Sequence, residues 1–220
     1  GAINGALTEK GWRLTHIFNT HHHFDHAGGN LELKRDWGCE IIGATNDEER
    51  IPGITKRVED REKFKFGGVK VEVFEVPGHT KGHIAYYIAA ANSLFVGDTI
   101  FALGCGRLFE GTAKQMWNSL QKLMVLPPKT VIYCAHEYTE ANANFAITVD
   151  PDNRELETRV KEVRELRRKS LPTIPTTLGL EMTTNPFLRA GEESIQRNLS
   201  MSGLDAEKVF AKIRQMKDNF

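Results

Sequence analysis

The chain has 220 residues, 40% of them hydrophobic and 26% charged, which is ordinary for a globular protein with a substantial core. Lysine plus arginine and aspartate plus glutamate each total 29, so the charge balance gives no indication of a nucleic-acid partner. No apolar run approaches the roughly 20 residues of a membrane span, and the first residues lack a signal-peptide pattern. The sequence therefore predicts a protein without a nucleic-acid or membrane partner.

The cysteines indicate the redox environment. Cys39, Cys105 and Cys134 are odd in number and widely spaced, which argues against a disulfide framework. A reducing, cytoplasmic location is the prediction.

Strand patterns dominate the first 136 residues. Runs rich in β-branched and apolar residues, separated by glycine-containing or polar breaks, are typical of strands. Two of the longer runs predict hairpins that turn at Gly67–Gly68 and near Asn92. The predicted segments are 13–20, 39–45, 63–78 (hairpin), 83–98 (hairpin) and 130–136.

One helix is predicted among these strands. Thr112 and Gln115 have the spacing of a capping box, and Trp117, Leu120 and Met124 follow at helical intervals. The two prolines that follow, Pro127–Pro128, would end this helix.

After residue 136 the pattern becomes helical. Residues 153–169 predict an amphipathic surface helix, and residues 170–179 predict an irregular link rich in proline and threonine. Asp205 is expected to cap a last helix over residues 206–220. The inward face of that helix is predicted to consist of Val209, Ile213, Met216 and Phe220.

Residues 20–30, THHHFDHAGGN, contain four of the eight histidines. His21 and His23 are two apart, so in an extended segment they point the same way, and Asp25 and His26 follow where they could serve a second ion. Imidazole and carboxylate are ligands of zinc, iron and manganese, whereas an expression tag would not contain an aspartate. The sequence therefore predicts a metal site here. His22 should face the opposite way and have a structural role.

Three further candidate ligands follow apolar strand segments. His79 comes after VEVFEVPG, Asp98 after SLFVG, and His136 after VIYCA. Each alone could be a turn residue, a cap or a polar group at a strand end. Because four strand ends all carry ligand-type residues, we expect them to meet at one edge of a sheet.

These motifs together resemble the metallo-β-lactamase superfamily, with its His-x-His-x-Asp-His, Gly-His, Gly-Asp and late His. Within it, THHHFDHAGGN, PGHTKGHI, VGDTIFALGCGRLFEGT and YCAHEYTEANANFA resemble the hydroxyacylglutathione hydrolase (glyoxalase II) family through nearly the whole chain. The resemblance implies an α/β fold, with an αββα sandwich over residues 1–136 and a C-terminal α-helical, glutathione-binding domain over 137–220. Family members usually carry two or three strands before GWRLTHIFNT, so the first strands are expected to be absent here, either because the first sheet is incomplete or because leading residues are missing from this chain.

The resemblance also implies a set of metal ligands. His21, His23 and His79 would bind the first ion, Asp25, His26 and His136 would bind the second, and Asp98 would bridge the two. Paired ions lower the pKa of a shared water toward about 7, so Asp25 and Asp98 are also expected to be catalytic through the hydroxide they help to hold. Two divalent ions are expected, zinc first, with iron or manganese as alternatives.

The activity implied by the resemblance is the hydrolysis of S-D-lactoylglutathione to glutathione and D-lactate, the second step of methylglyoxal detoxification. Arg107, Tyr138, Arg214 and Lys217 match the family's glutathione-binding positions. By spacing alone, Arg214 and Lys217 could equally form an ordinary solvated helix face. Some family members carry Lys in place of Arg107 and Tyr in place of Phe109. A monomer or weak homodimer is expected.

Other functions remain open at this stage. A glutathione persulfide dioxygenase with one iron, another hydrolase of the same fold, and a metal-binding protein that has lost catalysis are the alternatives. The role of His83, near these motifs, is also open. It either orients His79 or Asp98, or it is a packed side chain without such a role. Cys105 is expected to pack in a tight turn, because no base accompanies it.

Overall fold

The computed structural model describes residues 1–220. The α-helices are α1 Ala2–Lys10, α2 Phe24–Ala27, α3 Asn30–Trp37, α4 Ala113–Met124, α5 Thr139–Val149, α6 Arg154–Arg168, α7 Leu178–Thr184, α8 Glu193–Asn198 and α9 Ala206–Asp218. The strands are β1 His16–Phe18, β2 Glu40–Ala44, β3 Lys56–Val58, β4 Lys63–Phe66, β5 Val69–Glu75, β6 Ile84–Ile88, β7 Ser93–Gly97, β8 Ile100–Phe101, β9 Gly104–Cys105, β10 Val131–Cys134 and β11 Thr176–Thr177.

The strands form two main sheets and one small hairpin. One sheet has three parallel strands in the order β1-β2-β3, and the other has the order β11-β10-β7-β6-β5-β4. Each strand from β4 to β7 pairs antiparallel with the next one along the chain, whereas β10 pairs parallel with β7. Both predicted hairpins are confirmed. Gly67, Gly68 and Asn92 all have positive φ, which tight turns between adjacent strands require.

The larger sheet is covered on both faces, because successive side chains of a strand point to opposite sides. Val73 and Tyr86 pack with Ile42 of the smaller sheet, so the two sheets lie face to face. On the opposite face, Phe74 joins a larger apolar cluster with Leu120 of α4 and other helical residues. This arrangement is the α/β sandwich with appended helices that the sequence predicts.

The apolar core continues across residue 136. Ile132 of β10 belongs to the same cluster as Phe145, Phe187 and Phe210 from the helical part of the chain. In addition, β11 pairs antiparallel with β10 and so extends the sheet from the helical side. The division into two domains at residue 136 stays a prediction, but the parts on either side of it share buried surface.

Helix caps agree with part of the sequence pattern. The capping box of α4 is present, and the Asn153 side chain caps α6 by accepting from the amide of Leu156. The predicted irregular link over 170–179 is wrong at its end, since β11 and the first turn of α7 lie there. Thr177 accepts from the amide of Leu180 and thereby starts α7, a cap that the neighbouring prolines obscured.

The last helix also departs from the prediction at both ends. It begins directly after Asp205, but the Asp205 side chain makes no capping hydrogen bond. Val209 and Ile213 are fully buried as predicted. Phe220 lies beyond the helix end and is 65% exposed, so it is not part of the inward face. None of the helices is long and apolar enough to cross a membrane.

The capping box of α4 gives a test of the fold. Thr112 Oγ1 accepts from the amide of Gln115 at 3.2 Å, and Gln115 Oε1 accepts from the amide of Thr112 at 2.9 Å. We expect Thr112→Ala to lower the free energy of unfolding by about 1 kcal/mol because one helix-end donor loses its partner. Urea unfolding measures this change. Thr158→Ala, on the exposed face of α6, is the control and should cause no such loss.

Candidate metal centre

The candidate ligands all follow the ends of strands. The HHHFDH segment comes after β1 and runs into the short helix α2, while His79 follows β5, Asp98 follows β7 and His136 follows β10. His23 has extended backbone at φ −54° and ψ 146°, so His21 and His23 project to the same side as predicted. The structure brings all seven predicted ligand side chains together at one edge of the sandwich.

Three imidazoles form the first group. His23 Nδ1 lies 3.1 Å from His21 Nε2 and 3.1 Å from His79 Nε2. His21 is fully buried, His79 is 4% exposed, and His23 is half-buried. The nitrogen atoms of these three rings therefore converge on one point.

The second group contains one carboxylate and two imidazoles. Asp25 Oδ2 lies 3.4 Å from His26 Nε2 and 3.4 Å from His136 Nε2. Asp98 stands between the two groups. Its Oδ1 is 3.1 Å from His26 Nε2, and its Oδ2 is 3.7 Å from His79 Nε2 and 3.5 Å from His136 Nε2.

These separations fit a bound metal better than a hydrogen-bond network. Ligand atoms around a tetrahedral zinc ion lie about 3.4 Å apart when the bonds are about 2.1 Å long. Asp98 is 6% exposed, and its Oδ1 is buried without a hydrogen bond of acceptable geometry. A buried carboxylate is stabilised by nearby positive charge, and at His26 burial is outweighed by the hydrogen bond and charge of Asp98, which raise its pKa. The residues present therefore fit two divalent ions.

Burial also prepares the imidazoles for coordination. It is the main cause that lowers the pKa of His21, and the neighbouring histidines lower that pKa further. Burial likewise lowers the pKa of His23 and of His79, although the charge of Asp98 opposes the shift at His79. Metal ligation requires the neutral imidazole, so the low pKa values leave these rings in the binding form.

Groups behind the ligands fix their orientation. His79 Nδ1 lies 2.9 Å from the carbonyl oxygen of Arg107, which sets Nδ1 as the donor and leaves Nε2 free for a metal. His83 is fully buried, and its Nε2 accepts from the amide of Asp98 at 3.1 Å. Burial, followed by the neighbouring His79, lowers the pKa of His83 to about 3, so its ring is neutral. This direct contact supports the interpretation in which His83 orients Asp98.

His22 turns away from the cluster, as predicted. Its Nδ1 lies 3.1 Å from Asp47 Oδ2, and the buried Asp47 carboxylate also accepts from Arg50. This pair ties the histidine-rich loop to the turn after β2. Cys105 is buried, and burial raises the pKa of its thiol to about 11, which agrees with packing and not with a nucleophile.

A cavity of about 510 Å³ opens beside the ligands. Its walls include His79 and Asp98 from the metal cluster together with four predicted substrate residues, Arg107, Tyr138, Arg214 and Lys217. Tyr138 is half-exposed, and its ring stacks on that of His136 with centroids 4.9 Å apart. Phe109, at the mouth, is 63% exposed and meets the His79 ring edge-on.

Arg214 and Lys217 are not an ordinary solvated helix face. Arg214 is 4% exposed, and its Nη1 donates to the carbonyl oxygen of Cys105 at 2.8 Å. Lys217 Nζ lies over the rings of Phe145 and Phe220, and burial followed by the nearby Arg214 and Arg107 lowers its pKa. Both cations are thus held in place at the cavity wall.

One residue at the cavity was missed in the sequence. Asp218 pairs with Arg214 Nη2 at 2.9 Å and lies 3.9 Å from Arg107 Nε. Its spacing of four from Arg214 on a helix was the available signal. This carboxylate orients two of the three cations.

Comparisons with known proteins agree with this geometry. Residues 4–136 match the family described as Metallo-beta-lactamase superfamily, and residues 137–220 match Hydroxyacylglutathione hydrolase C-terminus. Hydroxyacylglutathione hydrolase of Rhizobium etli is 55% identical over 215 residues, 98% of this chain and 84% of the relative. Hydroxyacylglutathione hydrolase of Methylococcus capsulatus is 51% identical over 220 residues, 100% of this chain and 86% of the relative.

Solved structures share the fold at lower identity. ETHE1 from Myxococcus xanthus has a TM-score of 0.67 at 22% identity and covers 97% of this chain and 74% of its own. A second protein, crystallised in a di-iron-bound form, has a TM-score of 0.61 at 25% identity and covers 85% of this chain and 84% of its own. The two matched families together cover residues 4–220. The two relatives are more than 50% identical to this chain over 98–100% of its length. The chain therefore belongs to the hydroxyacylglutathione hydrolase family of the metallo-β-lactamase superfamily.

Proposed function

We propose that this protein hydrolyses S-D-lactoylglutathione to glutathione and D-lactate. The observation that carries the proposal is the shared cavity. It has metal-ligand residues His79 and Asp98 in one wall and the cations Arg107, Arg214 and Lys217 in another. The relatives named hydroxyacylglutathione hydrolase, at 51–55% identity over almost the whole chain, support the same activity.

The ligand assignment is part of this proposal. His21, His23 and His79 would hold one ion, Asp25, His26 and His136 the other, and Asp98 both. Two donor groups in the structure support the two sets of three, while a third group joins His21 with His26 and Asp98. When bound, two divalent ions supply a water-derived nucleophile at neutral pH and positive charge for a developing oxyanion. Zinc is the proposed metal, because imidazole and carboxylate suit it, with iron or manganese as alternatives.

The chain's own residues would orient the substrate. Glutathione carries a carboxylate at its glycine end, and Arg214, Lys217 and Arg107 present cations to the cavity where that carboxylate can pair with them. Tyr138, stacked on His136, would contact the peptide portion between the clamp and the metals. Asp25 and Asp98 would hold the reacting water near the thioester carbon.

Two alternatives are weaker on specific grounds. ETHE1 resembles this chain at 22% identity, which indicates a common fold alone. A one-iron dioxygenase would use His, His and Asp on a single metal, whereas here Asp25, His26 and His136 form a second donor group. Another hydrolase of this fold would have no need of the Arg214 and Lys217 clamp. A non-catalytic metal-binding protein is separated from the proposal by measuring activity.

The cellular setting is also a proposal. Cys39, Cys105 and Cys134 are free thiols, and such thiols persist in a reducing compartment, so we place the protein in the cytoplasm. We propose further that the protein is a monomer or weak homodimer, and that a small-molecule thioester is its only partner.

The direct test is a steady-state assay of S-D-lactoylglutathione hydrolysis by metal-replete protein. Release of free thiol at a rate proportional to enzyme concentration is expected. Metal-replete protein that binds two ions and leaves the thioester intact would support the non-catalytic alternative.

Metal stoichiometry tests the ligand assignment. We expect the parent to bind two ions per chain and His136→Ala to bind about one tightly, because the second group then keeps only Asp25 and His26 besides the shared Asp98. Inductively coupled plasma mass spectrometry after dialysis measures both values. His16→Ala, in β1 and outside the cluster, is the control and should retain two ions. Well below two ions in the parent would contradict the dinuclear site.

The clamp predicts a change in KM. Lys217→Ala should raise KM for S-D-lactoylglutathione about tenfold, because a charge-assisted contact to the glycine carboxylate is lost, and should change kcat little. Lys212→Ala is the matched control, since Lys212 lies exposed on the same helix and removes the same charge. Equal KM values for the two variants would rule out a specific role for Lys217.

A further inference from the structure

The β8–β9 hairpin carries groups of both the metal site and the clamp. Asp98 lies two residues before β8, and Cys105 and Arg107 lie at and after β9. Between the strands, Leu103 adopts φ +60°, a conformation that a leucine rarely takes. A turn with this backbone needs support from its surroundings.

Three side chains from the helical part of the chain supply that support, and we call Asn142, Glu181 and Asn185 the polar bracket. Asn142 Nδ2 donates to the carbonyl oxygen of Ala102 at 3.1 Å, and the amide of Leu103 donates to Glu181 Oε2 at 2.9 Å. Asn185 Nδ2 lies 3.2 Å from the carbonyl oxygen of Phe101 and 3.0 Å from that of Gly104. Every residue of the turn 101–104 is therefore bonded to the bracket.

The bracket is itself held rigidly. Glu181 is fully buried, and its other carboxylate oxygen, Oε1, accepts from Arg159 and from Thr176 Oγ1, the latter at 2.7 Å. Asn185 Nδ2 also lies 3.0 Å from Glu181 Oε2, and its Oδ1 accepts from the amide of Phe187. A buried charge with a paired partner and satisfied acceptors resists displacement.

The hairpin passes this rigidity on to the site. The carbonyl oxygen of Arg107 orients His79, and that of Cys105 holds Arg214. Between them, Gly106 lies so close to Asp98 that an added Cβ would come within 1.9 Å of the Asp98 carbonyl oxygen. A shift of the hairpin therefore moves a metal ligand, the bridging carboxylate and a clamp cation together.

We infer that Asn142, Glu181 and Asn185 are positioning residues, and that the polar bracket couples the geometry of the metal ligands to that of the glutathione clamp through the β8–β9 hairpin. The half of this inference that concerns glutathione rests on the proposed function. The half that concerns the metals depends only on the ligand cluster.

Asn185→Asp tests the bracket at nearly constant volume. A carboxylate beside the carbonyl oxygens of Phe101 and Gly104 and the Glu181 carboxylate would repel all three, so the hairpin should shift. Chelator competition should show at least about tenfold weaker binding of one metal ion, the loss typical when a group that orients a ligand is changed. KM for S-D-lactoylglutathione should rise in the same variant.

The control separates positioning from loss of stability. Val71→Ala deletes buried methyl groups from the core cluster between the two sheets, which contains no residue of the hairpin or the bracket, and should lower Tm while metal affinity and KM stay at parental values. Metal affinity of Asn185→Asp equal to that of Val71→Ala at a comparable Tm would overturn the inference.

A milder variant covers the case in which Asn185→Asp does not fold. Asn142→Ala removes only the bond to Ala102, and we expect about fivefold weaker metal binding. Unchanged metal affinity in this variant would also overturn the inference. Metal competition is read without substrate, so a parent that binds two ions but does not hydrolyse the thioester would defeat the proposed function alone.

Discussion

The buried carboxylate of Asp98 is the constraint on which the rest of the site depends. It lies at the contact of two donor groups, 6% exposed, with one oxygen lacking a hydrogen bond. Burial lowers the pKa of His21, His23 and His79, so these three rings are neutral, whereas at His26 burial is outweighed by the hydrogen bond and charge of Asp98, which raise its pKa. Divalent cations at the two donor groups would supply positive charge to the Asp98 carboxylate, and the strand ends that carry the other candidate ligands meet around it.

The continuous core explains how the candidate metal ligands in one part of the chain could act with the proposed clamp in another. Ile132, Phe145 and Phe210 belong to one apolar cluster, so the helical part cannot move independently of the sheet. The cations of α9 are therefore fixed relative to the ligands after β5, β7 and β10. A clamp at a fixed distance is suited to a substrate whose thioester and terminal carboxylate are a set distance apart.

The clustering of the candidate ligand residues could be predicted from the sequence because each follows the end of a readable strand, and strand ends meet at one edge. The environment of Arg214 could not, since helical spacing gives the face of a residue but not what covers that face. Residues 176–179 were misread as part of a link because the cap of α7, Thr177, lies among prolines and threonines. The roles of Asn185 and Glu181 depend on contacts with residues about eighty positions away, which no local pattern records.

Under the proposed function, the clamp has a consequence for turnover. Arg214, Lys217 and Arg107 would face the peptide portion of the substrate, which hydrolysis leaves unchanged, and Arg214 is already fixed by Cys105 and Asp218. Contacts that are equal in substrate and product lower the free energy of both and do not lower the barrier between them. Released glutathione would therefore bind the same cations as the thioester and compete with the next substrate molecule. This competition limits how far a tighter clamp can raise the turnover rate.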